Sequence, residues 1–276
     1  MFDMFVLLGT LTVIFLAVGW VVGGIWGTGI ALVLAVLINF VTYWYSDRFV
    51  LRLYRAKPLD NVTVSKLVKL LAKEAKIPKP KIYVVDSRAP NAFATGRDPK
   101  HSALAVTKGL LDLPFDELKG VLAHEIAHIR NRDMLVATMA ATLGAAISYL
   151  AQIGYWMIFM GGERKGEGSL IGLVLIIIFA PLAALLIRMA VSRAREYRAD
   201  WVGALLTKQP KTLASALRAI SEKARYKPVH GSSATAHMWI VNPFHRDWFT
   251  NLFATHPPVE KRIERLEGME IKKSKK

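Results

Sequence analysis

The chain has 276 residues, is 53% hydrophobic, contains no cysteine, and carries 37 Lys+Arg against 21 Asp+Glu, a formal charge of +16. So apolar a chain is not disordered, and without cysteine it has no disulfide framework, thiol nucleophile or Cys-ligated metal. The basic balance points to nucleic acid or an anionic surface, and the placement of the charges decides between them.

Residues 4–46 contain no Lys, Arg, Asp or Glu. A bilayer core takes about 20 apolar residues per helix, so this run fits two spans. Gly23, Gly24, Gly27, Thr28 and Gly29 mark the turn, with helices expected near 4–22 and 29–46. A signal peptide would open on a basic stretch and hold one short apolar run; this chain opens Met-Phe-Asp. Arg48, Arg52, Arg55 and Lys57 follow the second span, where anionic head groups would hold them.

Residues 62–76 alternate Val62, Leu67, Val68, Leu70 and Leu71 with lysines, an amphipathic helix. Pro78 and Pro80 stop it. Lys81–Val85 reads as a strand, Asn91–Gly96 as a short turn-flanked stretch, and Ser102–Thr107 as a second strand. Pro114 and the acidic pair Asp116 and Glu117 open a helix that should run through 121–132.

That helix carries His124-Glu125-Ile126-Ala127-His128. Histidines four apart share one face, so both imidazoles can reach one ion. The glutamate between them can accept a proton from water that the metal activates. Zinc lowers the pKa of such water toward ~7, so hydroxide is available at neutral pH. The flanking Val121, Leu122, Ile126 and Ile129 are apolar, and two histidines and a glutamate among them would be costly without a ligand.

Two further uncharged runs follow, 134–162 and 168–187, separated by a short loop with Glu163, Arg164, Lys165 and Glu167. They read as a second hairpin, with Pro181 a tolerated kink. The segments 47–133 and 188–276 hold 17 and 18 Lys+Arg against 10 and 8 acids. The positive-inside rule puts both in the cytoplasm. The basic charge thus lies beside spans, and nucleic acid ranks last as a partner.

A catalytic zinc wants a third protein ligand and one open position. Past the fourth span, Glu196 and Asp200 lie four apart on a helix. Glu196 is either a ligand, with Asp200 bonded to a ligand histidine's other nitrogen, or part of a solvated face with Arg193, Arg195 and Arg198. Residues 227–250 look like a polar loop or lid, in which Trp239, Trp248 and Phe249 read as packing or interfacial residues. Pro257 and Pro258 look like a helix start.

NAFATGRDPKHSALAVTKGLL (91–111), VLAHEIAHIRNRDMLV (121–136), SRAREYRADWVGA (192–204), IVNPF (240–244) and FATHPPVEKRIERL (253–266) together resemble the HtpX-type integral-membrane zinc metalloproteases, relatives of the CAAX prenyl proteases. The resemblance covers essentially the whole chain. It implies one zinc held by His124, His128 and Glu196, Glu125 as general base, and Asp200 behind a ligand. It also implies that Asn91 and Ala92 contact substrate backbone. His256 either stabilises the oxyanion or is structural.

The expected fold is mainly α: four transmembrane helices in two hairpins and a zincin-like α+β cytoplasmic protease domain with a small sheet. Its segments are a hairpin at 1–46, the first protease part at 47–133, a hairpin at 134–190 and the second part at 191–276. The expected activity is zinc-dependent cleavage of misfolded membrane proteins at the cytoplasmic face of the cell membrane. Prenyl-peptide processing would want more spans, and a membrane scaffold with a silent metal site is the reading from another class. Lipid and polypeptide substrates are the expected partners.

Overall fold

The computed structural model describes residues 2–143, 193–224, 238–240 and 257–270. Helix α1, Phe2–Leu53, is broken at Gly23 (φ −145°, ψ 20°) and Gly24 (φ 55°, ψ −138°). Gly24 takes the left-handed φ that a residue with a Cβ resists, so the chain doubles back within two residues. Asn39 Nδ2 donates to Thr12 Oγ1 at 3.0 Å and ties the two arms together. The chain thus folds back at the expected glycines, with the break confined to Gly23 and Gly24, and the second arm runs on to Leu53.

That arm, Gly23–Leu53, is long and apolar enough to cross a membrane, and only 11% of its most apolar window is buried. Trp26, Ile30, Val33, Leu37 and Phe40 are all exposed. Water would not tolerate so continuous an apolar face, whereas lipid solvates it. Helix α1 is followed by the two-residue strand β1, Lys57–Pro58, which the sequence pattern had not signalled.

Helix α2, Val62–Glu74, is capped by Asn61, whose side chain accepts from Val64 N at 3.0 Å. Its Val64, Leu67, Val68 and Leu71 face the core. Strands β2 (Lys81–Val85), β3 (Ala92–Asp98) and β4 (His101–Thr107) complete a mixed sheet in the order β1-β2-β4-β3. β2 and β4 run parallel, while β3 and β4 form an antiparallel hairpin. The stretch expected to be short and turn-flanked is thus an edge strand of seven residues.

After the single turn α3 (Lys108–Leu111), helix α4 spans Phe115–Asn131. It ends at Arg132, in a left-handed conformation with φ 62°. The next helix, α5 (Asp133–Leu143), starts at once and is apolar. Its Leu135, Val136, Met139 and Leu143 pack with Leu11, and Ile38 and Tyr43 lean on the same cluster. The remainder of the second expected hairpin, residues 144–190, lies outside the described residues.

Three helices complete the fold: α6 (Arg193–Thr207), α7 (Pro210–Ala224) and α8 (Val259–Glu267). The main core gathers Val121, Leu122 and Ile126 of α4 with Leu104 and Val106 of β4, Leu213 and Leu217 of α7, and Leu266 of α8. Helix α6 lies directly on α4. A Cβ on Gly203 would sit 3.0 Å from the backbone nitrogen of His124, so a side chain there would press the two helices apart by a few tenths of an ångström.

Candidate metal centre

The sheet-facing side of α4 is apolar, and its other face turns His124 and His128 toward α6. Their Nε2 atoms lie 3.1 Å apart, with the ring planes at 88°. Glu196, from the first turn of α6, brings Oε1 to 3.5 Å from His128 Nε2 and Oε2 to 3.8 Å from His124 Nε2. One ligand atom from each of the three residues lies within 4.8 Å of the others.

The outer nitrogens settle which atoms face inward. His124 Nδ1 is 3.0 Å from Asp200 Oδ1, and His128 Nδ1 is 3.3 Å from Asp133 Oδ2. A carboxylate at Nδ1 fixes the proton there and leaves the Nε2 lone pair free. With both protons held on the outer side, the two Nε2 atoms and a Glu196 oxygen face one point that a cation would satisfy. The donor set, two imidazoles and one carboxylate, fits a borderline divalent ion.

Arg262 was not anticipated. It is fully buried. Its Nε donates to Asp200 Oδ2 at 2.8 Å and its Nη2 to Asp200 Oδ1 at 2.7 Å. Nη1 donates to the Ile240 carbonyl at 2.9 Å and stands 3.3 Å from Glu196 Oε2. One guanidinium thus holds the carboxylate behind His124 and touches the carboxylate in front of it. Its signal lay in α8: Arg262 is three residues after Val259 and four before Leu266, on the apolar stripe.

Asp133 was missed as well. Five residues beyond His128, it would fall on another face of a continuous helix. The left-handed break at Arg132 turns it back onto His128.

The protonation states follow from this surround. Burial pushes His124 below its ordinary pKa, against the pull of Asp200 and with the help of the Arg262 charge. Burial opposes the charge on His128 too, but the Asp133 hydrogen bond and the Glu196 and Glu125 charges outweigh it and lift His128 to about 9. A field that holds a proton there equally favours a divalent cation in its place. Burial would raise Asp200, but Arg262 and His124 hold it below the usual carboxylate range. Glu125 is pushed up to about 7 by burial, and its carboxylate takes a hydrogen bond from the Ala94 backbone. A base near neutrality can both take and return a proton.

Strand β3 therefore reaches the site through Ala94. Asn91 is buried at the start of the strand, and its Oδ1 accepts from Ala92 N at 3.1 Å. Its backbone N–H donates to Thr107 Oγ1 at 2.8 Å. The Ala92 carbonyl accepts from Ile240 N at 3.3 Å. Met238, Trp239 and Ile240, read from sequence as part of a polar loop, are buried. Trp239 donates from Nε1 to Tyr54 Oη at 2.9 Å and stacks edge-on with Tyr54 and Phe93. It is a packing anchor, and the described part of that loop is fixed against the sheet. His256 lies outside the described residues, although Pro258 does open α8.

Residues 58–270 match Peptidase family M48. The chain belongs to this family. Curated relatives of the chain bear the name Protease HtpX homolog. That of Pyrococcus abyssi is 49% identical over 268 residues, covering 95% of this chain and 93% of its own length. That of Syntrophobacter fumaroxidans is 45% identical over 274 residues, covering 96% and 97%. The fold is similar to the crystal structure of S. mikatae Ste24p, with a TM-score of 0.53 at 19% identity over 94% of this chain. The chain spans 62% of the length of that solved structure. The chain is an M48 metalloprotease associated with the membrane, and the cluster of His124, His128 and Glu196 fits its metal site.

Proposed function

We propose that the chain is a multi-pass, zinc-dependent endopeptidase that cleaves misfolded or damaged membrane proteins at the cytoplasmic face of the cell membrane. The observation that carries this reading is the convergence of His124, His128 and Glu196 around one point, with Glu125 buried beside them. His124, His128 and Glu196 hold the ion, and two nitrogens with one oxygen suit zinc. When bound, zinc supplies a Lewis acid that polarises the scissile carbonyl and makes water acidic enough to attack it.

The chain's own residues do the rest. Glu125 takes the proton of the attacking water at its carboxylate and delivers it to the leaving amine. Asp200 and Asp133 keep the two imidazoles oriented. Edge strand β3 receives an extended peptide near Asn91 and Ala92, which sets register with little demand on side chains. His256, ahead of Pro257, is assigned to the developing oxyanion. The protease is split by the second hairpin, 134–190, into parts 47–133 and 191–276, both cytoplasmic.

The test is a Glu125→Gln form purified in detergent beside wild type, with casein as substrate and metal measured in both. The variant should keep its zinc and lose cleavage by at least ~100-fold. Equal activity would sink the enzymatic assignment and favour a scaffold with a silent site. Topology is checked by introducing single cysteines into this cysteine-free chain and labelling them from each side. Labelling of residues 47–133 from outside the cell would reverse the orientation.

A further inference from the structure

A pocket lies on the far side of the β3–β4 hairpin from α1. It is a cavity of about 610 Å³ lined by the C-terminal ends of α2 and α4 and by the hairpin tip. Four cations face it: Lys76, Lys100, Arg130 and Arg132. All four are exposed, and among the described residues none pairs with a carboxylate.

The lone acid in the lining, Asp98, is already engaged. Its Oδ1 accepts from the backbone N–H of Lys100 at 2.7 Å and of His101 at 2.9 Å, and its Oδ2 is 2.8 Å from His101 Nδ1. The bland account is that a basic residue at a helix C-terminus answers the helix dipole. That explains about half a charge per helix end, whereas two helix ends and a hairpin here converge four full charges on one cavity.

The height of the pocket relative to α1 says what anion it meets. From Gly23 to Trp44 the helix rises about 32 Å, the thickness of a bilayer core of about 30 Å. Tyr43, Trp44 and Tyr45 therefore form the aromatic belt at the interface, with Asp47 and Arg48 just beyond. The hairpin tip is pinned to this belt: the Arg97 guanidinium lies 4.5 Å from the Trp44 ring centroid. On the other flank, α5 leaves Arg132 and packs at once, through Leu135 and Val136, into the cluster that includes Tyr43. The hairpin wall of the cavity thus stands beside the belt, and the α4 wall connects to α1 through α5.

We propose that Lys76, Lys100, Arg130 and Arg132 form a binding site for the phosphate of an anionic phospholipid. This rests on the placement of α1 in the bilayer proposed above. Arg130 and Arg132 close the helix that carries His124 and His128, so an anionic lipid seated here would hold the metal-bearing helix at a set depth.

The test uses the full chain in detergent and native mass spectrometry with phosphatidylglycerol, phosphatidylcholine and inorganic phosphate as separate probes. Wild type should retain phosphatidylglycerol in preference to phosphatidylcholine. A Lys100→Gln, Arg132→Gln form should bind it about 25-fold more weakly, about fivefold for each charge. A control Arg48→Gln, Arg55→Gln form should bind the pocket lipid as wild type does, and all three forms should share one unfolding midpoint. Unchanged phosphatidylglycerol retention in the pocket variant overturns the site. Loss in the control instead of the pocket variant assigns the lipid to α1 and overturns it too. Displacement of lipid by millimolar inorganic phosphate shows a free-anion site and overturns the lipid assignment. Extraction of the chain from membranes by alkaline carbonate is a separate result, which refutes the placement of α1.

Discussion

Replacing Arg262 by Met removes a buried cation while keeping much of its volume. Asp200 then loses both prongs of its guanidinium contact, at 2.8 and 2.7 Å, and Glu196 loses the neighbour 3.3 Å from its Oε2. Removing one partner from a buried ion pair costs about 3–5 kcal/mol, because the other charge stays behind unsolvated. At about 2–4 °C per kcal/mol for a chain of this size, the unfolding midpoint should fall by about 6–20 °C. Metal binding should weaken by about 10–100-fold, as Asp200 no longer holds the His124 ring.

One effect opposes this loss. Arg262 Nη2 stands 3.3 Å from His124 Nε2, and a cation there repels a metal. Because the Arg262–Asp200 pair is net neutral, that repulsion is largely cancelled, and the lost orientation dominates. Arg262→Lys separates the two effects, since it keeps the charge but not the two-pronged fork. It should bind zinc nearly as poorly as the Met form. The assays are thermal unfolding in detergent and zinc competition against a fluorescent chelator. A Met form with the wild-type midpoint and zinc affinity would refute the reasoning, and a Lys form with wild-type affinity would show that charge dominates.

Asp133→Ala should lower zinc affinity by about 10–100-fold through His128 and, because Asp133 also holds the His128 proton, lower the metal-free midpoint at neutral pH; competition titration and thermal unfolding read the two. Gly203→Val should press α6 off His124, costing about 1–3 kcal/mol, and thermal unfolding and zinc content should fall together. Stripping metal with a chelator should lower the midpoint. A ligand at a thousand times its dissociation constant stabilises by about 4 kcal/mol, so readded zinc should restore the midpoint in wild type and leave a Glu196→Ala form unmoved.

The shared placement of His124, Glu125 and His128 was legible because HExxH encodes its geometry in helical spacing alone, and the strand Lys81–Val85 because Ile82, Tyr83, Val84 and Val85 are β-branched or aromatic. Glu196 and Asp200 share a face by the same rule, yet spacing could not say whether they meet metal or water. What brings them beside His124 and His128 is α6 lying on α4, with Gly203 at the close approach. The edge strand β3 was obscured by its composition: Ala92, Ala94 and Gly96 carry no β signal, and the strand persists because Phe93 and Thr95 find partners in Trp239 and in Thr138, 3.0 Å away. Arg262 reads as one more charge on a charged helix until its position on the apolar stripe is noticed. Asp133 could not be placed without the backbone reversal at Arg132, which no residue-type preference foretells, since glycine is the usual occupant of such a position.

The three residues that meet at the metal centre are far apart in synthesis order. His124 and His128 emerge first, then the two uncharged runs 134–162 and 168–187 with the charged loop between them, and only then Glu196. Asp133 belongs to the helix that opens that stretch. A nascent chain therefore holds two imidazoles and no third donor until everything between them has been made and its ends have come back together. With the ligand set proposed above, a copy stalled part-way therefore carries the recognisable motif but not the third donor.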